Sequence, residues 1–163
     1  MSPAEREAAA PILPRHVFAG LSAASRAEAF RELAGRLAEA GAVRDAADVV
    51  RRLEERERLG STSLGGGIAI PHLKLSGTAE PAVAVASFPA GVDFGAPDGL
   101  PVCLIFLVIS PADSPAAHLQ ILSRISRILR APGVADNLRR ASSPEEIRAA
   151  LEEAQAPTGG VRT

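Results

Sequence analysis

The run Val102 to Ile109, VCLIFLVI, constrains the fold of this chain more than any other stretch. It has no polar alternation, so as a strand it must be covered on both faces, and that places it at the centre of a sheet. It is far shorter than the roughly 18 or more apolar residues that span a bilayer, so direct membrane insertion is not expected. Around it the sequence alternates strand-like and helical patterns, which implies an α/β fold with helices on both faces of the sheet. Cys103, inside the run, reads as a packing residue, and one cysteine cannot form an internal disulfide. The aromatic fraction is 3%, with no Trp or Tyr, so the core must come from Leu, Ile, Val and Ala.

Helical signals flank the run on both sides. Ser25 followed by Glu28 is a capping-box pattern, and Phe30, Leu33 and Leu37 recur at helical spacing until Gly41, predicting a helix over 25–40. Asp45 caps a second helix whose apolar face is Val49, Val50 and Leu53 and whose tail is charged. Ser114-Pro115 opens a third helix carrying His118, Leu119, Leu122, Ile125 and Leu129. A short segment over 134–140 and a last helix opened by Ser143-Pro144-Glu145-Glu146 follow. Shorter apolar runs, 16–21, 68–70 and 82–88, read as strands, with 74–81 a polar connection and 89–98 rich in turn signals. The chain of 163 residues is read as one domain over 15–154, with a loosely held lead-in at 1–14 and a Gly/Pro-containing tail at 155–163.

A formal net charge of −1 and the lack of any long basic run disfavour nucleic-acid binding. No leader pattern is seen at the N-terminus, and a cytoplasmic protein fits best. The chemistry narrows to the three histidines, His16, His72 and His118. His16 reads as a strand-edge residue. His72 stands out because Pro71 pins the chain before it and a loop of hydroxyls and glycines precedes it. Gly65, Gly66 and Gly67 can adopt positive φ and turn backbone N–H groups inward, an arrangement suited to phosphate. Arg56 offers a guanidinium, and Ser61, Thr62 and Ser63 offer hydroxyls. On residue chemistry alone His72 is either a phosphoryl-accepting nucleophile or a hydrogen-bonded strand-end histidine. Ile68 follows the glycines where a Walker loop would need Gly-Lys-Ser/Thr, and the residues require no nucleotide, metal or other cofactor.

The order Arg56-Glu57-x-x-Gly60-Ser61-Thr62-x-x-Gly65-x-Gly67-Ile68-Ala69-Ile70-Pro71-His72 closely resembles the signature of the fructose/mannitol and nitrogen-regulatory type of enzyme IIA. These are cytoplasmic phosphocarrier domains of the bacterial phosphoenolpyruvate-dependent phosphotransferase system (PTS). The resemblance extends over about 15–154, including the apolar strand, Ser110-Pro111 and the helix with His118. It implies a three-layer α/β/α sandwich with a mixed sheet. It also implies that His72 accepts phosphoryl from an HPr-like carrier protein, that His118 is the second active-site histidine, and that Arg56 neutralises phosphoryl charge and assists onward transfer to an enzyme IIB. Ser61 and Thr62 match loop hydroxyls of that site, with Gly65 and Gly67 in the same phosphoryl-binding loop. No IIB domain, HPr-like domain or membrane segment is fused here, so the resemblance implies action in trans, for sugar uptake or as a regulatory signal. The alternative is a non-transport regulatory module whose contacts with a target protein are switched by His72 phosphorylation or need none. One departure stands out: Leu73 occupies the place of the family's usual Gly, and its side chain is expected at the partner-docking face.

Overall fold

The computed structural model describes Ser2, residues 11–78 and residues 80–156. The remainder of the expected lead-in and tail lies outside the described residues. The elements in chain order are β1 (His16–Phe18), α1 (Arg26–Glu39), α2 (Ala46–Arg58), β2 (Ser63–Gly65), β3 (Ile68–Ala69), β4 (His72–Leu75), β5 (Ala82–Val92), β6 (Val102–Pro111), α3 (Pro115–Arg130), α4 (Val134–Arg140) and α5 (Pro144–Gln155).

The apolar run expected at the centre of the sheet is there, as β6. It pairs antiparallel with β5 on one side and, on the other, parallel with β3 and then β4. β1 adds parallel to β5 and β2 antiparallel to β3, so the sheet is six-stranded and mixed. Successive side chains of β6 enter opposite cores. Leu104, Phe106 and Val108 join Ile125, Leu129, Leu138, Ile147 and Leu151 beneath α3, α4 and α5. Ile105, Leu107 and Ile109 join Phe30, Leu33, Leu37, Val49 and Leu53 beneath α1 and α2. Both faces are therefore dry, which is why the run carries no polar alternation. Each such side chain contributes about 1.5–3 kcal/mol by leaving water.

The helix starts follow their sequence signals. Ser25 Oγ accepts from Glu28 N at 3.1 Å while the Glu28 carboxylate accepts from Ala24 N at 2.9 Å. Asp45 and Ser143 accept from Asp48 N and Glu146 N in the same way. Ser114 stands at the N-cap of α3 but its hydroxyl makes no capping bond, leaving Pro115 as the starting device.

The structure departs from expectation in several places. β4 occupies part of the expected polar connection: Leu73 and Leu75 turn toward the α1/α2 core, and the four-residue alternation is too short to read as a strand in the sequence. β5 continues through Pro89 to Val92, because a register shift between Ser87 and Val92 leaves exposed Pro89 outside the regular ladder. There Gly91, at φ +81°, approaches Pro101 so closely that an added Cβ would lie 2.6 Å from its Cβ. β6 runs on through Ser110 and Pro111, which pair with Lys74 and Leu75. Finally, residues 11–14 are not a loose lead-in: Ile12 is buried beneath α5, and its N–H and C=O both bond the Gln155 side-chain amide.

Candidate functional site

β4 is an edge segment, and its first residue is His72. The edge is broken just before it, where Pro71 has no N–H to offer but its carbonyl accepts from Val108 N at 3.0 Å, and pairing then resumes. The break turns the Ile70 carbonyl back onto the imidazole, 2.8 Å from His72 Nδ1. A carbonyl only accepts, so Nδ1 carries the hydrogen and donates. In the neutral ring the free lone pair is therefore on Nε2.

Leu73 and Leu75 point into the α1/α2 core, so His72 and Lys74 project to the opposite face, toward α3. His118 lies in the first turn of α3, buried, with its ring centroid 5.2 Å from that of His72 and the planes tilted by 57°. His118 Nδ1 lies 2.6 Å from Ser110 Oγ. From the other helical layer, the last turn of α2 brings Arg56, whose Nε–H points at His72 Nε2 at 3.4 Å and whose Nη1 donates to Gly60 O at 2.9 Å. The structure thus brings together His72, His118 and Arg56 from three elements separated in sequence.

The electrostatics keep both rings neutral near pH 7. Burial pushes the His72 pKa below its ordinary value, and the cations of Arg56 and Lys74 act in the same direction; the Ile70 carbonyl and Glu57 partly offset them. His118 is pushed down to about 4, first by burial, then by His72 and Lys74. A neutral His72 is what nucleophilic attack through Nε2 requires.

The turn after α2 is held by a buried carboxylate. Glu57 accepts from Thr62 N at 3.2 Å and from the Thr62 hydroxyl, and Thr62 O accepts from Ile70 N at 3.1 Å. The Thr62 hydroxyl hydrogen is therefore committed to Glu57, while Ser61 Oγ accepts from Ser63 N at 3.1 Å.

Gly65 and Gly67 are not brought to His72. Gly67 O bonds Cys103 N and Leu104 N at the start of β6, whereas His72 pairs with Val108, about 13 Å further along the strand. The expected anion cradle is a β2–β3 hairpin whose Gly66 N–H is taken by the Asp98 carboxylate at 2.8 Å. Its positive φ angles serve the turn and the close approach of Gly67 to Pro101 O, not an anion. Leu73 is corrected as well: it is 7% exposed in the α1/α2 core rather than at an outer face.

Glu57 and Ser110 stood within the family resemblance with no role given to them, and Lys74 was not singled out in the sequence. Glu57 lay within a charged helix tail, Ser110 stood just past the apolar run that ends at Ile109, and Lys74 read as connection. A cleft of about 440 Å³ opens over the α1/α2 face beside Leu37, Val43, Val49 and Leu75, and its lining includes neither His72 nor His118. Among the described residues no group of three His, Cys, Asp or Glu side chains is placed to hold a metal, and no helix is long and apolar enough to cross a membrane.

Comparison with known proteins gives a consistent set. A family model described as "Phosphoenolpyruvate-dependent sugar phosphotransferase system, EIIA 2" matches residues 11–154. A nitrogen regulatory protein of Pseudomonas aeruginosa is 44% identical over 103 residues, 63% of this chain and 67% of that protein. The PTS system fructose-specific EIIA component of Haloferax volcanii is 39% identical over 115 residues, 71% of this chain and 75% of that protein. Among solved structures, nitrogen regulatory protein IIA-Ntr from Neisseria meningitidis aligns with a TM-score of 0.76 at 35% identity, over 83% of this chain and 92% of that one. A chain in the complex of enzyme IIAMTL and phosphorylated enzyme IIBMTL from Escherichia coli aligns with a TM-score of 0.68 at 26% identity, over 85% of this chain and 94% of that one.

Proposed function

The chain belongs to the EIIA 2 family of the phosphoenolpyruvate-dependent sugar phosphotransferase system, and from that premise we propose that it is a phosphohistidine carrier whose acceptor atom is His72 Nε2. The observation that carries the reading is the 2.8 Å contact of His72 Nδ1 with the Ile70 carbonyl, which leaves Nε2 as the free nitrogen.

In this reading the lone pair on Nε2 attacks phosphorus of a phosphohistidine on an HPr-like carrier protein. The donor's N–P bond breaks, its electron pair stays with the donor nitrogen, and the Nε2–P bond forms. Nδ1–H keeps its bond to Ile70 throughout, so the positive charge that builds on the ring is held by a carbonyl dipole. Arg56 swings from the Nε2 lone pair to the phosphoryl oxygens, and its bond to Gly60 O keeps the guanidinium at the site. Thr62 acts through Glu57 to hold the turn that carries Gly60, with Ser61 beside it; Gly65 and Gly67 take no part. Discharge to an enzyme IIB is the same exchange onto another nucleophile. The reading places this chemistry in the cytoplasm, with its phosphoryl donor.

The nitrogen regulatory relatives from Pseudomonas and Neisseria favour a second use of the same group, as a signal that switches contacts with a target protein. Both uses require phosphorylation of His72. Incubation with phosphoenolpyruvate, enzyme I and HPr, followed by intact mass under alkaline conditions, is expected to show a gain of one acid-labile phosphoryl that is absent in His72→Ala. No gain in the native protein, or an equal gain in the variant, overturns the reading.

A further inference from the structure

Ser110 is a polar residue at the end of an apolar strand, and it is fully shielded from solvent, at 0% exposure. It continues the β6 face that carries Phe106 and Val108, the face covered by α3, and it pairs in register with Lys74. A buried hydroxyl has one hydrogen that must find an acceptor. Among the hydrogen bonds of the described residues, Ser110 Oγ meets one group, His118 Nδ1 at 2.6 Å.

Two arrangements of hydrogen fit that contact, and only one satisfies every atom. If Nδ1 carried the hydrogen it would donate to Oγ, and the Ser110 O–H would be left in an apolar layer with nothing to accept it. If Nδ1 is bare, the hydroxyl donates to it and nothing is orphaned. His118 is neutral near pH 7, so one of its two nitrogens carries hydrogen, and that nitrogen is then Nε2.

We propose that Ser110 is a positioning residue that fixes His118 in the Nε2–H tautomer, so that the second histidine presents a hydrogen-bond donor to a phosphoryl group on His72. The assignment of the tautomer stands on geometry; its use rests on the carrier reading given above. With the ring centroids 5.2 Å apart, a phosphoryl group on His72 Nε2 stands beside the His118 ring. Nδ1 is occupied, so Nε2 is the nitrogen left to meet it. A hydrogen there offsets phosphoryl charge, whereas a bare Nε2 would set a lone pair against anionic oxygens. No proton is transferred in the step: His118 donates a hydrogen bond and keeps its hydrogen.

The test is histidine ¹⁵N NMR on the unphosphorylated native protein, which reads the tautomer without any phosphoryl transfer. His118 is expected with Nε2 protonated and Nδ1 bare. Ser110→Ala should release the ring into a mixture of tautomers and shorten the lifetime of phospho-His72 by roughly 3- to 10-fold, the loss of about one net hydrogen bond. Because alanine leaves a gap in a buried layer, Ser110→Thr and Ser110→Val form a second pair matched in size. Thr is expected to keep the native tautomer and lifetime, and Val to lose both. Nδ1 protonated in the native protein, or one unchanged tautomer across all variants, overturns the proposal. A tautomer that switches as described in a protein that never takes phosphoryl upholds the assignment and refutes the carrier reading.

Discussion

Arg56 Nε lies 3.4 Å from His72 Nε2, the atom whose lone pair the proposed attack uses, a long and weak hydrogen bond that costs little to break. The guanidinium has a second anchor on Gly60 O, so releasing Nε2 does not release the side chain from the site. Acceptance of phosphoryl should therefore survive its loss, while the phosphorylated state should lose its nearest cation. Arg56→Ala is expected to be phosphorylated by HPr but to deliver onward roughly 10- to 100-fold more slowly, as read by rapid-quench transfer to the cognate enzyme IIB. Delivery at the native rate would remove Arg56 from the mechanism. Residue types alone suggested this histidine and this arginine. They did not suggest Glu57, whose burial is invisible in a run of five charged residues, nor which nitrogen of His72 is free, which is set by a carbonyl two residues back.

At the scale of elements, β4 shows how a four-residue strand sorts its side chains. Leu73 and Leu75 anchor it in the α1/α2 core, and that anchorage obliges His72 and Lys74 to face α3. A glycine at position 73 would leave the backbone without this anchor. Leu73→Ala should cost about 2–4 kcal/mol in urea unfolding, with His72 still able to take phosphoryl because the strand ladder to β6 is intact. Native stability in this variant would show that the side chain is not buried. The same strand explains why the glycine hairpin misled: 65–67 is close to His72 in sequence, but β3 and β4 lie end to end along β6, and the residues between them keep the same register against it.

Considered whole, the molecule builds its candidate site where the two helical layers meet one edge of the sheet. α2 delivers Arg56 from one side and α3 delivers His118 from the other, so the site exists only when both cores are assembled. That dependence gives stability a pH signature. His118 has a folded pKa of about 4 against an ordinary value of 6.5, and His72 is shifted in the same direction. Between those limits the unfolded chain binds more protons than the folded one, so stability rises with pH and is lost as pH falls. The loss from His118 should run from about pH 6.5 down to about pH 4 and then level off. A series of urea midpoints across this range should be flatter in His118→Gln than in the native protein. Identical slopes would mean that His118 is not held neutral by the fold.

The sequence by itself determined the buried central strand, the capped starts of α1, α2 and α5, the helices on both faces, and the residues 56–72 that carry the family resemblance. These are local signals: a cap, an apolar period or an unbroken apolar run is written within a few neighbouring residues, and the chain obeys it wherever it lies. Tertiary structure alone decided that Leu73 is core, that Gly65 and Gly67 stand far from His72, that Ile12 is clamped by Gln155, and that Ser110 is sealed against His118. Each of those outcomes depends on register and layer contact between segments distant in sequence. A one-residue change of register would reverse which side chains are buried, and no local pattern in so short a strand records the choice.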